Sequence, residues 1–346
     1  MVHRIRFTLP RLLPVAGLLV LLASPYVQAE APKEQWHTSI ATGYGQLVET
    51  TEKLNNSARH YCEAPDKAKL DQVKEAWADG FHAWQAVRFV DFGPIQQNSL
   101  AWQFQFWPDQ KNLIAKKVDA WVEGEQKITV ENLAGDSVAV KGFPAIEYML
   151  FDPRLEGKQL ALPHPRTCQM LTTVTSLMAS NAQSLRNDWA TFKSHYLSTG
   201  DYGDATVLAA MHALETIENK RLGAPMGLGG SRRNAYLGDA WRSDQSLAAL
   251  HSSLKGVQQY FVPGLKTLMQ NSANQALFDE FESQLARTLE RFADLPNDLA
   301  AMLEEDNGYR QLQFLYIDVE RLSNKLSRDI APELGVVKGF NSSDGD

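Results

Sequence analysis

Residues 70–90 read LDQVKEAWADGFHAWQAVRFV. Leu70, Val73, Trp77, Phe81, Trp84, Val87 and Val90 follow one another at steps of three and four, which places them on one face of a helix. The same rhythm returns at Phe278, Phe281, Leu285, Leu289 and Phe292, and again from Tyr309 through Leu312, Leu315, Val319, Leu322 and Leu326 to Ile330. Alternating strand-like runs are scarce, and only Lys127–Val130 offers a short extended candidate. The expected fold class is therefore all-α.

Pro and Gly mark where helices must stop. Asp91–Pro94 closes the 70–90 helix, and Gly223–Gly230 separates helices further on. Asp152–Pro165, with Pro153, Gly157, Pro163 and Pro165, reads as a hinge about midway. The expectation is two packed helical bundles, residues 30–155 and 156–346, each long enough for about four helices.

The first 29 residues carry Arg4, Arg6 and Arg11, an apolar run from Leu12 to Ala23, and small residues at Val27 and Ala29. This is the pattern of an export leader cleaved after Ala29. The run is too short to span a bilayer, and no later stretch offers a second span, so a periplasmic protein is expected. Of 346 residues, 44% are hydrophobic and 22% charged, which excludes low-complexity disorder. Removing the three leader arginines takes the formal charge from −7 to −10. Nucleic acid is not an expected partner, because a binder needs a basic face to displace counterions. The two cysteines, Cys62 and Cys168, are expected to pair in an oxidising compartment, the other reading being two buried thiols.

Just before the hinge stands Gly142-Phe-Pro144-Ala-Ile-Glu147-Tyr-Met-Leu-Phe151. Gly142 can adopt backbone angles closed to other residues, and Pro144 suits the first turn of a helix. Glu147 then lies in or just past that turn, where the helix dipole favours a carboxylate without any ligand.

This stretch resembles the signature Gly-x-His-x-x-Glu of the imelysin family of bacterial envelope proteins. Phe92-Gly93-Pro94 through Phe106-Trp107-Pro108-Asp109 and Leu334-Gly335 through Gly339–Asp346 resemble two further blocks of that family, in the same order. The resemblance implies a two-bundle helical protein associated with iron acquisition, with a shared site between the bundles beside the motif helix. It implies Gly142, Pro144 and Glu147 as ligand-binding positions. The implied ligand is a small molecule or a metal ion, with iron or another divalent or trivalent cation as the candidate cofactor, and an envelope protein as a candidate partner. Pro144 stands where the signature has His, and proline has no side-chain donor, so a His–Glu metal pair cannot form from this motif alone.

Ala210-Met-His212-Ala-Leu-Glu215 repeats the motif's pattern with a His in place of Pro144, which makes His212 and Glu215 a second metal candidate should the bundles be an internal duplication. The plainer reading is an ordinary helical segment. His82 reads as a core-edge histidine, and Trp102, Phe104, Phe106 and Trp107 as inter-bundle packing or a stacking wall. Arg232 and Arg233 form an exposed basic pair, and Glu304, Glu305 and Asp306 a solvated helix end.

The family has also been classed with metallopeptidases. No His-Glu-x-x-His run and no Gly-x-Ser-x-Gly elbow occurs here, and a paired cysteine is no nucleophile. A non-catalytic binder is expected, with an envelope interaction protein lacking any ligand as the alternative.

Overall fold

The computed structural model describes residue 1 and residues 25–156, 159–270 and 274–336, the side chains of 25–30 and 156 excepted. Most of the expected leader and the C-terminal block 339–346 lie outside the described residues. No strand occurs among the described residues, and 127–129 are irregular.

The main helices are α1 (Pro25–Glu63), α2 (Lys67–Val87), α3 (Leu113–Glu123), α4 (Gly142–Phe151), α5 (Pro165–Ser198), α6 (Tyr202–Glu215), α7 (Ser246–Gly256), α8 (Val262–Leu268), α9 (Gln275–Ala293) and α10 (Asp306–Asn324). None is long and apolar enough to cross a membrane. The helices α2, α9 and α10 carry most of the three periodic stretches, because each buries its apolar stripe: Val73, Trp77, Phe81 and Trp84 in α2, Phe278, Phe281 and Leu285 in α9, Leu312, Leu315, Val319 and Leu322 in α10. Helix α2 stops at Val87, short of Val90, and Leu326 and Ile330 lie in a π-helical turn, Lys325–Ile330, that follows α10. The start of α2 is set by Asp66, whose carboxylate accepts from the Lys69 N–H at 2.8 Å.

A first bundle forms from α1, α2, α4 and α5, with α3 against α4; a second forms from α6, α7, α9 and α10. The long α5 follows the 152–165 segment yet runs along α1, so the chain passes residue 156 without leaving the first bundle. The cause is a heptad stripe, Cys168, Leu171, Thr175, Met178, Ala182, Leu185 and Trp189, all buried at alternating steps of three and four. The Cys62–Cys168 disulfide, Cα to Cα 5.5 Å, staples α5 to the end of α1.

The bundles share one continuous core. At their junction α7 crosses α2 so closely that a Cβ on Gly256 would lie 1.8 Å from the Ala86 carbonyl oxygen. Only glycine permits that approach. Nearby, the Trp36 indole of α1 donates to the Phe261 carbonyl at 2.7 Å, tying α8's approach to the first bundle.

Candidate functional site

Every residue of α4 from Gly142 to Leu150 is buried, as expected of a helix apolar on all sides. Gly142 opens it with φ +67°, and a Cβ there would meet the Phe104 carbonyl oxygen at 2.2 Å and that of Gln103 at 2.4 Å. The Phe143 carbonyl accepts from the Trp77 indole at 3.0 Å, which fixes the helix start on α2. Into this apolar helix the sequence places one ionisable carboxylate, Glu147, 3% exposed.

Its partners come from the second half of the chain. Oε1 of Glu147 accepts from the Arg242 N–H at 3.0 Å, the Ser243 N–H at 3.0 Å and the Ser243 hydroxyl at 2.8 Å. Arg242 Nη1 lies 4.0 Å from Oε2. Burial pushes the Glu147 carboxyl up to about 7, with the Arg242 charge and the Ser243 donors opposing it.

Arg242 is itself buried. Its Nε donates to Asp152 Oδ2 at 2.8 Å, its Nη2 to Asn112 Oδ1 at 3.2 Å, and its guanidinium lies over the rings of Trp241, 4.3 Å to the centroid, and Tyr148, 5.7 Å. Asp152 also accepts from Arg154 Nε at 2.8 Å. Burial alone would raise the Asp152 carboxyl, but the Arg154 and Arg242 hydrogen bonds outweigh it and hold the group down at about 2. Glu147, Asp152, Arg242 and Arg154 thus form a charge-balanced network at the junction of α4 with residues 238–244.

A cleft opens beside this network. Pro144 and Glu147 line it with Trp77, Phe106 and Trp107 on one side and Tyr236, Trp241 and Arg242 on the other. Its free space is about 30 Å³, room for a water or two. The rim is aromatic: Tyr236, 69% exposed, stands edge-on to Trp241 at 4.7 Å, and Trp102, 48% exposed, packs on Phe106. The expected aromatic patch therefore divides, since Phe104 is buried and stacked on Trp84 at 4.8 Å while Phe106 and Trp107 face the cleft.

The donor set at this cleft does not suit a directly held metal ion. Pro144 contributes no donor atom, and Glu147 Oε1 already has three donors and a guanidinium beside it. The remaining carboxylate, Asp109, accepts from the N–H groups of Leu113 and Ile114 at 2.6 and 3.0 Å. Among the described residues, no three His, Cys, Asp or Glu side chains converge as a metal site.

The other candidates are elsewhere. His212 lines a different cavity, its Nδ1 2.9 Å from Asp91 Oδ2, and Glu215 lines a third opening beside Glu218. Neither lines the Glu147 cleft. His82 Nε2 lies 3.1 Å from Gln245 Oε1 at the bundle junction. Arg233 covers the Tyr309 ring at 3.4 Å and donates to the Leu303 carbonyl, while Glu304, Glu305 and Asp306 are exposed.

Sequence reading had no hold on Arg242 and Ser243, which lie 95 and 96 residues from Glu147. One signal was present. A carboxylate inside a helix apolar all round requires a cationic or multiply donating partner, and Trp241-Arg242-Ser243 combines an aromatic cover, a guanidinium and a hydroxyl.

Residues 40–326 match the family model described as Imelysin. The chain is 21% identical over 197 residues to iron-regulated protein A of Synechococcus elongatus; the match spans 54% of this chain and about half of that relative, 52%. Among solved structures, it resembles an imelysin-like protein from Psychrobacter arcticum, TM-score 0.80 and 18% identity over 91% of this chain and 98% of that one. It also resembles a structure described as a putative iron-regulated protein A precursor from Parabacteroides distasonis, TM-score 0.66 and 15% identity over 87% and 94%. At these identities the structural likeness speaks for the fold.

Proposed function

The chain belongs to the imelysin family, and from that membership we propose that it is an exported, non-catalytic ligand-binding protein of the bacterial envelope, tied to the cell's response to iron. Export with cleavage after Ala29 follows from the leader pattern, and the iron association from the name of its cyanobacterial relative. The observation that carries the binding role is the cleft above α4. Aromatic side chains from both halves of the chain, Phe106 and Trp107 against Tyr236 and Trp241, flank a buried carboxylate whose charge is already balanced.

A small molecule or a metal complex would rest on the aromatic rim rather than enter the cleft, whose 30 Å³ admits only water, with Glu147 and Arg242 beneath it. An iron or other cation would reach the protein inside that complex. A peptidase reading has little support, because a zinc centre needs about three converging protein ligands and an open position for water.

Elemental and mass analysis of protein purified from its native envelope, followed by calorimetry with ferric iron, calcium, zinc and haem, tests the reading. Binding to the wild type that weakens at least tenfold in both Trp241→Ala and Glu147→Gln is expected. Equal affinity in wild type and both variants would remove the cleft as the binding site. Absence of any binding would favour the alternative, an envelope interaction protein in which Glu147 serves the fold alone.

A further inference from the structure

Behind the motif cleft lies a second cavity of about 130 Å³, between the end of α2 and the helical turns from Ala209 to Arg221. Gln85 separates the two: its amide donates to Gln105, which lines the motif cleft, while its carbonyl oxygen faces the second cavity's arginines. Thr216–Gly223 is wound as a π-helix, a widened turn that often accompanies function, and it delivers Arg221 to the cavity wall.

Arg221 is 3% exposed and each of its three nitrogens has a partner: Nε donates to Asp239 Oδ2, Nη1 to Ser253 Oγ at 2.8 Å, Nη2 to Gln85 Oε1 at 2.8 Å. Arg88 shares that same Asp239 oxygen, at 3.3 Å from its Nη1, and lies over the Trp107 ring at 5.4 Å. Arg88 Nε and Nη2 donate to no group among the described residues, and Arg88 lines the cavity. Asp239 lies behind the two guanidiniums and is not part of the wall. Two guanidiniums on one buried carboxylate leave one positive charge without a buried counterion. Burial holds Arg221 down to about 10, with the Asp239 carboxylate opposing it and the Arg88 charge adding to it. The carboxylate that does line the wall, Asp91, is half exposed and engaged with His212.

We infer that this cavity binds a small oxyanion, received by the free donors of Arg88 in front of the Arg221–Asp239 pair, with His212 at its mouth. A guanidinium with two adjacent free N–H groups matches two oxygens of a phosphate, sulfate or carboxylate. The volume lies below the roughly 300–1,000 Å³ of a cofactor or drug-sized pocket, which restricts the ligand to an ion of that class. The assignment stands apart from the motif cleft and its ligand.

Inorganic phosphate is the probe, titrated into the wild-type chain at constant ionic strength with chloride as the balancing salt, by calorimetry and thermal melting. Saturable binding and a raised melting temperature are expected, with affinity at least tenfold weaker in Arg88→Met and in Ala213→Phe, which fills the cavity without removing a charge. Parallel titrations with sulfate and acetate separate a tetrahedral anion from a carboxylate. In the wild type itself, the Arg88 Nε–H resonance should shift with phosphate, a readout that needs no variant to fold. Phosphate no more effective than chloride, an Arg88 resonance that does not move, or binding that survives in either folded variant overturns the site.

Discussion

Ser243 gives both its backbone N–H and its hydroxyl to a single carboxylate oxygen of Glu147, 96 residues earlier in the chain. With the Arg242 N–H on the same oxygen, residues 242–243 are held to α4 by a side chain that the helix buries completely. Removing that acceptor leaves the buried Arg242 and Ser243 N–H groups without their partner, while the Ser243 hydroxyl keeps the Ala240 carbonyl at 3.1 Å. Glu147→Ala should therefore destabilise the protein by about 2–4 kcal/mol, since each unsatisfied buried donor costs about 1–3 kcal/mol and partial relaxation offsets some of it. Urea unfolding of wild type and variant checks this; a loss under 1 kcal/mol would mean that the 242–243 segment does not depend on Glu147.

Acid and base should act on Glu147 and Asp152 in opposite directions. Glu147 has a native value of about 7 against an ordinary 4.5, so between those values the folded state binds more protons than the unfolded one. Its contribution to stability is therefore present at low pH and lost as pH rises toward 7. Glu147→Gln cannot titrate and should gain on the wild type by about 1–3 kcal/mol from pH 5 to pH 8. Asp152, held at about 2, contributes stability that is present above pH 4 and lost only as pH falls toward 2. Unfolding free energies of both proteins across pH 5–8 measure the Glu147 effect; a constant difference contradicts it.

Arg242→Met takes the guanidinium from two buried carboxylates at once. Asp152 keeps Arg154, whereas Glu147 keeps only neutral donors. A loss of about 3–5 kcal/mol at pH 8 is expected, the usual consequence of leaving a buried charge unpaired, and a smaller loss at pH 5, where Glu147 is protonated. Equal losses at the two pH values would show that packing of Arg242 against Trp241 and Tyr148, rather than charge, dominates.

Gly142→Ala tests the motif's first position. A Cβ there would lie 2.2 Å from the Phe104 carbonyl oxygen on a backbone with φ +67°, so strain and collision add. The expected cost is about 2 kcal/mol or more, with residues 103–106 displaced. Thermal unfolding and the protection of amides 103–106 from exchange report the two effects.

The Cys62–Cys168 bridge closes a loop of 106 residues and joins the ends of α1 and α5. Cys62→Ser with Cys168→Ser should lower stability by about 3–5 kcal/mol, mainly by freeing the unfolded chain. Denaturant unfolding gives the loss, and a mass shift on alkylation after reduction, absent before it, confirms the pairing.

Sequence alone determined the helical class, the apolar faces of α2, α9 and α10, and the helix start at Gly142 and Pro144, while the family resemblance made Glu147 a candidate. These are local properties: a repeat of three and four, a proline without an N–H, a glycine free to take positive φ. The return of α5 to the first bundle was equally written in a stripe, from Cys168 to Trp189, but which neighbour that stripe would cover was not. Only the tertiary structure decided that Glu147 meets Arg242 and Ser243, that Asp152 lies within the same network, that His212 and Glu215 face other openings, and that Arg88 and Arg221 share one carboxylate. A helix face announces that it will be buried, but its partner is chosen by the packing of the whole chain, and a buried charge takes whichever donors that packing brings within hydrogen-bond reach.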